Sequence, residues 1–272
     1  MSRFSMDDAE FQTLRGLLQD ASGIKLGNEK RSLVQARLSG RMKTVGAPNF
    51  AGYLERVRTD SSGGELRTLI DLLSTNVTSF FREPHHFEHL KNTFLAQRLE
   101  SGEPDTIRVW SSACSSGEEP YTIGFTLASV LGEARMRRFL VLATDISTRM
   151  VRTAHQATYH QSQIDRVPAG LRVKCLEKVG IEHYRVRHSV RDRVRVRRLN
   201  LLEKWPMKKD FDVIFCRNAL IYFDQETQQM LAKRFFSKLK PGGYFYIGHS
   251  ESLSGLQHDF EYVGPTIYQR PK

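Results

Sequence analysis

Val109-Trp-Ser-Ser-Ala-Cys-Ser-Ser-Gly-Glu-Glu-Pro-Tyr121 carries a short apolar run into a helical pattern through a turn of small residues. The run that ends it upstream, Ile107 to Ser111, reads as a buried strand. The small side chains of the turn let a ligand approach the backbone closely. Open α/β sheets bind ligands beyond the carboxyl ends of their strands, so this turn is a candidate site. It has one glycine where dinucleotide fingerprints have three, and an ordinary strand-turn-helix connection fits the same residues.

Working outward, Phe139-Leu-Val-Leu-Ala-Thr-Asp145 ends a second strand in a carboxylate. An acid there suits ribose hydroxyls; it also suits a helix start, since Ser147 and Thr148 follow. A third strand, Phe211-Asp-Val-Ile-Phe-Cys216, runs into Arg217-Asn-Ala-Leu-Ile-Tyr-Phe-Asp224. Arg217 and Asn218 interrupt an apolar run, which is costly unless each finds a ligand or a buried polar network. A fourth strand spans Tyr244 to Gly248 after the break Lys240-Pro-Gly-Gly243. Tyr262-Val263 and Thr266-Ile-Tyr268 flank Gly264-Pro265 as a terminal hairpin. Short strands alternating with helices from Ile107 onward predict an α/β domain with a mostly parallel sheet. Between about 172 and 200, Tyr184-Arg-Val-Arg187 and Val190 to Leu199 alternate apolar with basic residues, which predicts a small antiparallel β insert.

Upstream the pattern is helical. Asp7 and Asp8 suit a helix start, and Phe11, Leu14, Leu17, Leu18 and Ala21 share a face before Ser22-Gly23. A second helix from Asn28 carries an apolar stripe of Val34, Leu38 and Met42 beside Lys30, Arg37 and Arg41, a basic face that solvent alone would also satisfy. After the Ser61 to Gly64 loop, Leu66, Leu69, Ile70, Leu72 and Leu73 mark another helix. Residues 1–90 read as a small helical domain and 91–272 as the α/β domain. At their junction Thr75 to Phe87 sets Asn76, Thr78 and Arg82 among aromatics, and such junctions favour ligand sites. His85, His86 and His89 raise the question of a metal. The spacing of zinc helices is absent, no cysteine is near, and hydrogen bonding or capping is the expected role.

At 272 residues and 40% apolar content the chain can bury ordinary cores. It has no run of 18 apolar residues, and Met1 to Asp8 lacks the apolar region of a secretory signal, which predicts a soluble, cytoplasmic protein. Cys114, Cys175 and Cys216 are odd in number and widely spaced, as reduced structural thiols are. The 41 basic against 30 acidic residues, net +11, favour a negatively charged partner without choosing among nucleic acid, membrane and acidic protein.

Taken together, Asn76-Val-Thr-Ser-Phe-Phe-Arg-Glu-Pro-His-His-Phe87, Trp110 to Tyr121, Asn200-Leu-Leu202, Phe215-Cys-Arg-Asn218 with Tyr222-Phe-Asp224, and Gly248-His-Ser-Glu-Ser252 resemble the chemotaxis receptor methyltransferase family, the protein-glutamate O-methyltransferases. The order and spacing hold over nearly the whole chain. The resemblance implies a class I, Rossmann-like S-adenosylmethionine-dependent methyltransferase domain preceded by a helical domain and carrying an antiparallel insert. It further implies that the cofactor touches Asn76, Thr78, Arg82, Glu119, Asp145, Asn200, Leu201, Arg217 and Asn218, with Asp145 at the ribose and Asn200 and Leu201 beside the adenine. Arg82 and Tyr222 fall near the transferred methyl group, as catalytic residues.

On that resemblance the substrate is a glutamate carboxylate on the acidic cytoplasmic helices of methyl-accepting chemoreceptors. Lys30, Arg37, Arg41 and Lys43 on the basic helix, about 28–43, become docking cations, and the insert becomes a place for a receptor's C-terminal tether. No metal, nucleic acid or membrane insertion enters, and the enzyme acts as a monomer. Two other readings fit parts of the sequence. A nucleic-acid methyltransferase would use the positive charge and stack a base on Phe80 or Phe81. A sensor would keep the pocket and transfer nothing.

Overall fold

The computed structural model describes residues 4–102, 106–135 and 138–272; the Met1-Ser-Arg opening lies outside them. Strand β1 (Ile107–Ser111) pairs in parallel with β2 (Phe139–Asp145) on one side and β7 (Phe211–Cys216) on the other. Every residue of β7 is buried, as expected of a central strand with both faces covered. The full sheet has the order β6-β2-β1-β7-β8-β10-β9. β6 (Val194–Arg198) and β8 (Leu239–Ile247) are parallel to their neighbours β2 and β7. β9 (Glu261–Gly264) and β10 (Ile267–Gln269) form the expected terminal hairpin, antiparallel to β8 through β10.

Helix α7 (Glu118–Arg135) follows β1. α8 (Thr148–Gln156) follows β2 and starts where Ser147 accepts the Met150 N–H. α11 (Gln225–Lys238) starts where Asp224 accepts the Thr227 N–H. One core lies on each side of the sheet. Trp110, Trp205, Phe235 and Phe245 fill the first, with the two indoles edge-on at 4.8 Å; Phe80, Phe125, Phe139 and Tyr159 fill the second. Cys114, Cys175 and Cys216 are buried and free. No helix among the described residues is long and apolar enough to cross a membrane.

The helical part comprises α1 (Asp8–Ser22), α2 (Arg31–Val45), α3 (Phe50–Thr59) and α4 (Gly64–Leu73), with a 3-10 turn at Asn28–Lys30 before α2. Asp7 and Glu10 cap α1 reciprocally. Leu14, Leu18, Val34, Leu38, Met42, Tyr53 and Leu69 form a core separate from those of the sheet. The cores divide between Leu73 and Phe80, earlier than the boundary near 90 expected from the sequence. The reason is that α5 (Pro84–His89) and the π-turn Leu90–Leu95 pack on α7, with Phe87, Leu90 and Leu95 in the sheet's core. The two parts meet at Gly23, whose left-handed backbone, φ 73°, ends α1. A Cβ there would lie 2.7 Å from the Phe223 ring.

The insert is antiparallel but placed differently from the 172–200 expectation. It is a three-stranded sheet of β3 (Thr158–His160), β5 (His183–Val186) and β4 (Leu176–Lys178), in that order, preceded in part by α9 (Ala169–Cys175). The Val-Arg alternation of 194–198 belongs instead to β6, the edge of the main sheet, after the short α10 (His188–Arg191). Val194 and Val196 are buried while Arg195, Arg197 and Arg198 are exposed. A period of two reports one wet face. It is silent on whether the neighbouring strand runs parallel or antiparallel.

Candidate active site

The β1–α7 turn folds back on the ends of β1 and β2. Ser115, at φ 47°, donates its N–H to Asp145 Oδ2 at 2.8 Å, and the Ser147 N–H reaches Oδ1 at 2.9 Å. Asp145 is thus held by the backbone while its side chain faces the turn, and the helix cap expected of this acid falls instead to Ser147. Four residues after Ser115, Glu119 accepts from Ser111 Oγ at 2.7 Å. Burial pushes the carboxyls of both Asp145 and Glu119 upward, against the pull of their N–H, hydroxyl and Arg217 partners.

Arg217, at the end of β7, lies between two carboxylates. Its guanidinium is 3.1 Å from Glu119 and 3.2 Å from Glu83, and it also donates to the Arg82 carbonyl. Burial raises the Glu83 carboxyl, but Arg217 and several hydrogen bonds outweigh it and hold the group below its ordinary value. Of the two readings of this arginine, the buried network is present, and the network itself borders the pocket. Phe81, Glu83, Ser115 and Asn218 all have positive φ. Such backbone costs on the order of 1–3 kcal/mol per residue and clusters at ligand sites.

These elements enclose one pocket between the helical part and the sheet. All nine residues assigned to the cofactor border it, and so does Tyr222. Asn76 Nδ2 is buried there with no hydrogen-bond partner among the described residues, an amide donor that a ligand acceptor would satisfy. Asn200 already spends its amide on the fold, donating to Ala21 O at 2.8 Å and accepting the Leu202 N–H. Leu201 supplies an apolar wall beside it. Arg82 donates to Val77 O at 2.7 Å.

The cations of the 3-10 turn and α2 divide. Lys30 borders the pocket with its ammonium 5.8 Å from the Tyr222 ring centre. Arg37 donates to the carbonyls of Leu72, Leu73 and Ser74, where α4 ends, and Arg41 forms a two-pronged pair with buried Glu65. Only Lys43 is fully exposed. The alternative of a merely solvated basic face therefore does not hold for Arg37 and Arg41, whose partners lie some 24 to 37 residues ahead in the chain.

The histidines hydrogen-bond, as junction histidines do: His86 to Thr266 Oγ1 at 2.7 Å and His89 to the Tyr246 hydroxyl at 2.8 Å. Phe80 is fully buried, stacked on Phe125 and edge-on to Tyr159, and Phe81 packs against Phe87. Neither ring lines the pocket. Two residues that support the pocket wall escaped the sequence reading, Glu83 and Glu251. Both are acids inside the quoted motifs, beside Arg82 and after Gly248, which was the available signal.

Comparison with known proteins agrees with this geometry. The family description "CheR methyltransferase, SAM binding domain" matches residues 76–269, and "CheR methyltransferase, all-alpha domain" matches 9–74. The chain belongs to the CheR methyltransferase family. It is 38% identical over 266 residues to the chemotaxis protein methyltransferase of Borreliella burgdorferi, covering 96% of this chain and 94% of the relative. With the Escherichia coli K12 chemotaxis protein methyltransferase it shares 39% identity over 274 residues, 99% and 93% of the two chains. The protein is an S-adenosylmethionine-dependent methyltransferase of the chemotaxis class. The CheR division at residue 75 coincides with the division of the hydrophobic cores.

Proposed function

We propose that the enzyme esterifies glutamate side chains on the cytoplasmic helices of methyl-accepting chemoreceptors and works in the cytoplasm. The observation that carries the reading is the convergence of Arg82, Tyr222 and Lys30 on the pocket that holds Asp145, Glu119 and the unpartnered Asn76 amide. The cofactor supplies an electrophilic methyl group on a sulfonium centre. A glutamate, with an ordinary pKa of about 4.3, arrives as the anion and needs no general base. Alignment then supplies much of the acceleration, up to roughly 7–11 kcal/mol in favourable cases.

In this reading Asp145 receives the ribose hydroxyls, Leu201 and Asn200 flank the adenine, and Asn76 and Thr78 complete the wall. Arg217 keeps Glu119 in place, and Asn218 closes the end of the pocket. Arg82 balances the incoming carboxylate, and Tyr222 orients it with its hydroxyl. Lys30, in the 3-10 turn, and Lys43, on α2, have no carboxylate partner among the described residues and serve as the receptor-facing cations, while Arg37 and Arg41 brace the helix. The edge strands β3 and β4 are suited to adding a strand from a receptor tether. Residues 146–200 supply 13 Lys or Arg against 4 Asp or Glu, so most of the chain's net charge of +11 lies on and beside that insert, where an acidic partner would be drawn.

The test is transfer of radiolabelled methyl from S-adenosylmethionine to chemoreceptor-containing membranes, followed by mild base. Volatile methanol from receptor bands, lost in Arg82→Ala, is the expected result. Label on nucleic acid, or cofactor binding with no label on any receptor, would reject the proposal. Tyr222→Phe should lower kcat by roughly 10- to 100-fold with little change in cofactor affinity. Unchanged turnover would remove the tyrosine from the mechanism.

A further inference from the structure

The motif Gly248-His-Ser-Glu-Ser252 lies just beyond β8 and touches the pocket only through its neighbours. Its acid, Glu251, is 8% exposed and pairs with no cation among the described residues. Instead Oε2 accepts the N–H of Asn218 at 2.9 Å and of Gly248 at 2.5 Å, while Oε1 accepts the N–H of Ile221 at 3.3 Å. A buried anion whose partners are all backbone donors is a clamp on the chain segments that carry them. Two of its donors belong to the segment 217–222, which presents Arg217, Asn218 and Tyr222 to the pocket. That segment has little regular structure of its own: Asn218 is left-handed, φ 57°, and Leu220–Tyr222 is a single 3-10 turn.

The close approach has a second, independent requirement. A Cβ on Gly248 would lie 2.6 Å from Asn218 N, 2.4 Å from Asn218 Nδ2 and 2.8 Å from Glu251 Oε2. Any side chain at 248 would wedge the carboxylate away from the Asn218 N–H. Gly248 and Glu251 therefore form one device in which an empty volume admits the anion and the anion ties the end of β8 to the segment after β7.

We infer that Glu251 is a positioning residue, acting through the backbone of 217–222 to set Tyr222 against the pocket. The inference rests on the role of Tyr222 proposed above. Glutamine at 251 keeps the size but places an N–H₂ group against backbone donors, which breaks part of the clamp.

The experiment compares Glu251→Gln with wild type by amide hydrogen exchange of the full chain and by steady-state methyl transfer. Exchange in 217–222 should quicken at least about tenfold while β7 keeps its protection, as for a local opening. kcat should fall at least about tenfold with KM for S-adenosylmethionine within about twofold, and in a Tyr222→Phe background the further loss should be under about twofold. Gly248→Ala should reproduce the pattern and serves if Glu251→Gln does not fold. Unchanged exchange in 217–222, or losses that multiply independently of Tyr222, would overturn the inference. Should Tyr222→Phe alone keep full turnover while exchange responds as stated, the clamp stands and the tyrosine's role falls.

Discussion

Replacing Arg217 with methionine keeps the length of the side chain and removes its charge from between two carboxylates. The side chains of Glu119 and Glu83 are only 10% and 12% exposed, and lie 3.1 and 3.2 Å from the guanidinium. Deleting one partner of a buried pair costs about 3–5 kcal/mol because a charge is left without compensation. For a chain of this size that corresponds to a drop of roughly 6–20 °C in Tm. The pH dependence has a definite sign. In wild type, Glu83 is held below its ordinary value, so its contribution is present near neutrality and is lost as pH falls through its folded pKa. In the variant both carboxyls rise above their unfolded values, so the variant loses stability as pH rises. The gap should be widest above about pH 7 and close towards pH 4. Urea unfolding followed by the fluorescence of Trp110 and Trp205, both in the sheet core, reads it directly. A gap below about 1 kcal/mol at neutral pH, or one equal at pH 4 and pH 8, would refute the account of Arg217 as the charge that permits those acids to be buried.

His86 is fully buried, and burial together with Arg217 and its neighbouring histidines pushes its pKa down to about 2. The folded protein thus keeps it neutral where the unfolded chain protonates near 6.5, so its effect on stability is nil above that value and grows below it, by up to about 1.4 kcal/mol per pH unit. His86→Gln should flatten the stability curve between about pH 6.5 and 5, measured by urea midpoints. Asp145→Asn should weaken S-adenosylmethionine binding by about tenfold or more in calorimetry, since an amide offers one acceptor oxygen where the carboxylate has two. Arg41→Gln deprives Glu65, 5% exposed, of its strongest partner and leaves it Tyr53 and the Arg56 charge. It should destabilise the helical part by about 1.5–3 kcal/mol without altering cofactor affinity.

The strands around the pocket were legible because burial on both faces leaves unbroken apolar runs such as Phe211–Cys216, and because Asp145 stands where a run ends. Asn76 and Thr78 stood out at the junction of the two parts, whereas family resemblance brought in Asn200 and Leu201, whose residue types carry no local signal; all four border the pocket. What the sequence concealed was long-range pairing. Helical periodicity put Arg37 and Arg41 on one face of α2, but whether a cation is solvated depends on what the rest of the chain brings to it, here Glu65 and the end of α4. The roles of Glu83 and Glu251 were hidden for the same reason: their partners Arg217 and Asn218 lie 134 and 33 residues away in sequence. The misplaced insert has a different cause, since an edge strand left bare on one face has the same alternation whichever way its neighbour runs.

The pocket wall is assembled from both parts of the chain: Leu33, Val34 and Arg37 come from the helical part, Asp145 and Leu201 from the sheet part. A ligand in contact with both is thermodynamically a cross-link. At a concentration 100 times its Kd it adds about 2.7 kcal/mol to the docked arrangement. Linkage is reciprocal, so whatever loosens α2 from the sheet must weaken cofactor affinity by the same factor. A partner that draws on α2 would then be felt in the pocket without touching it.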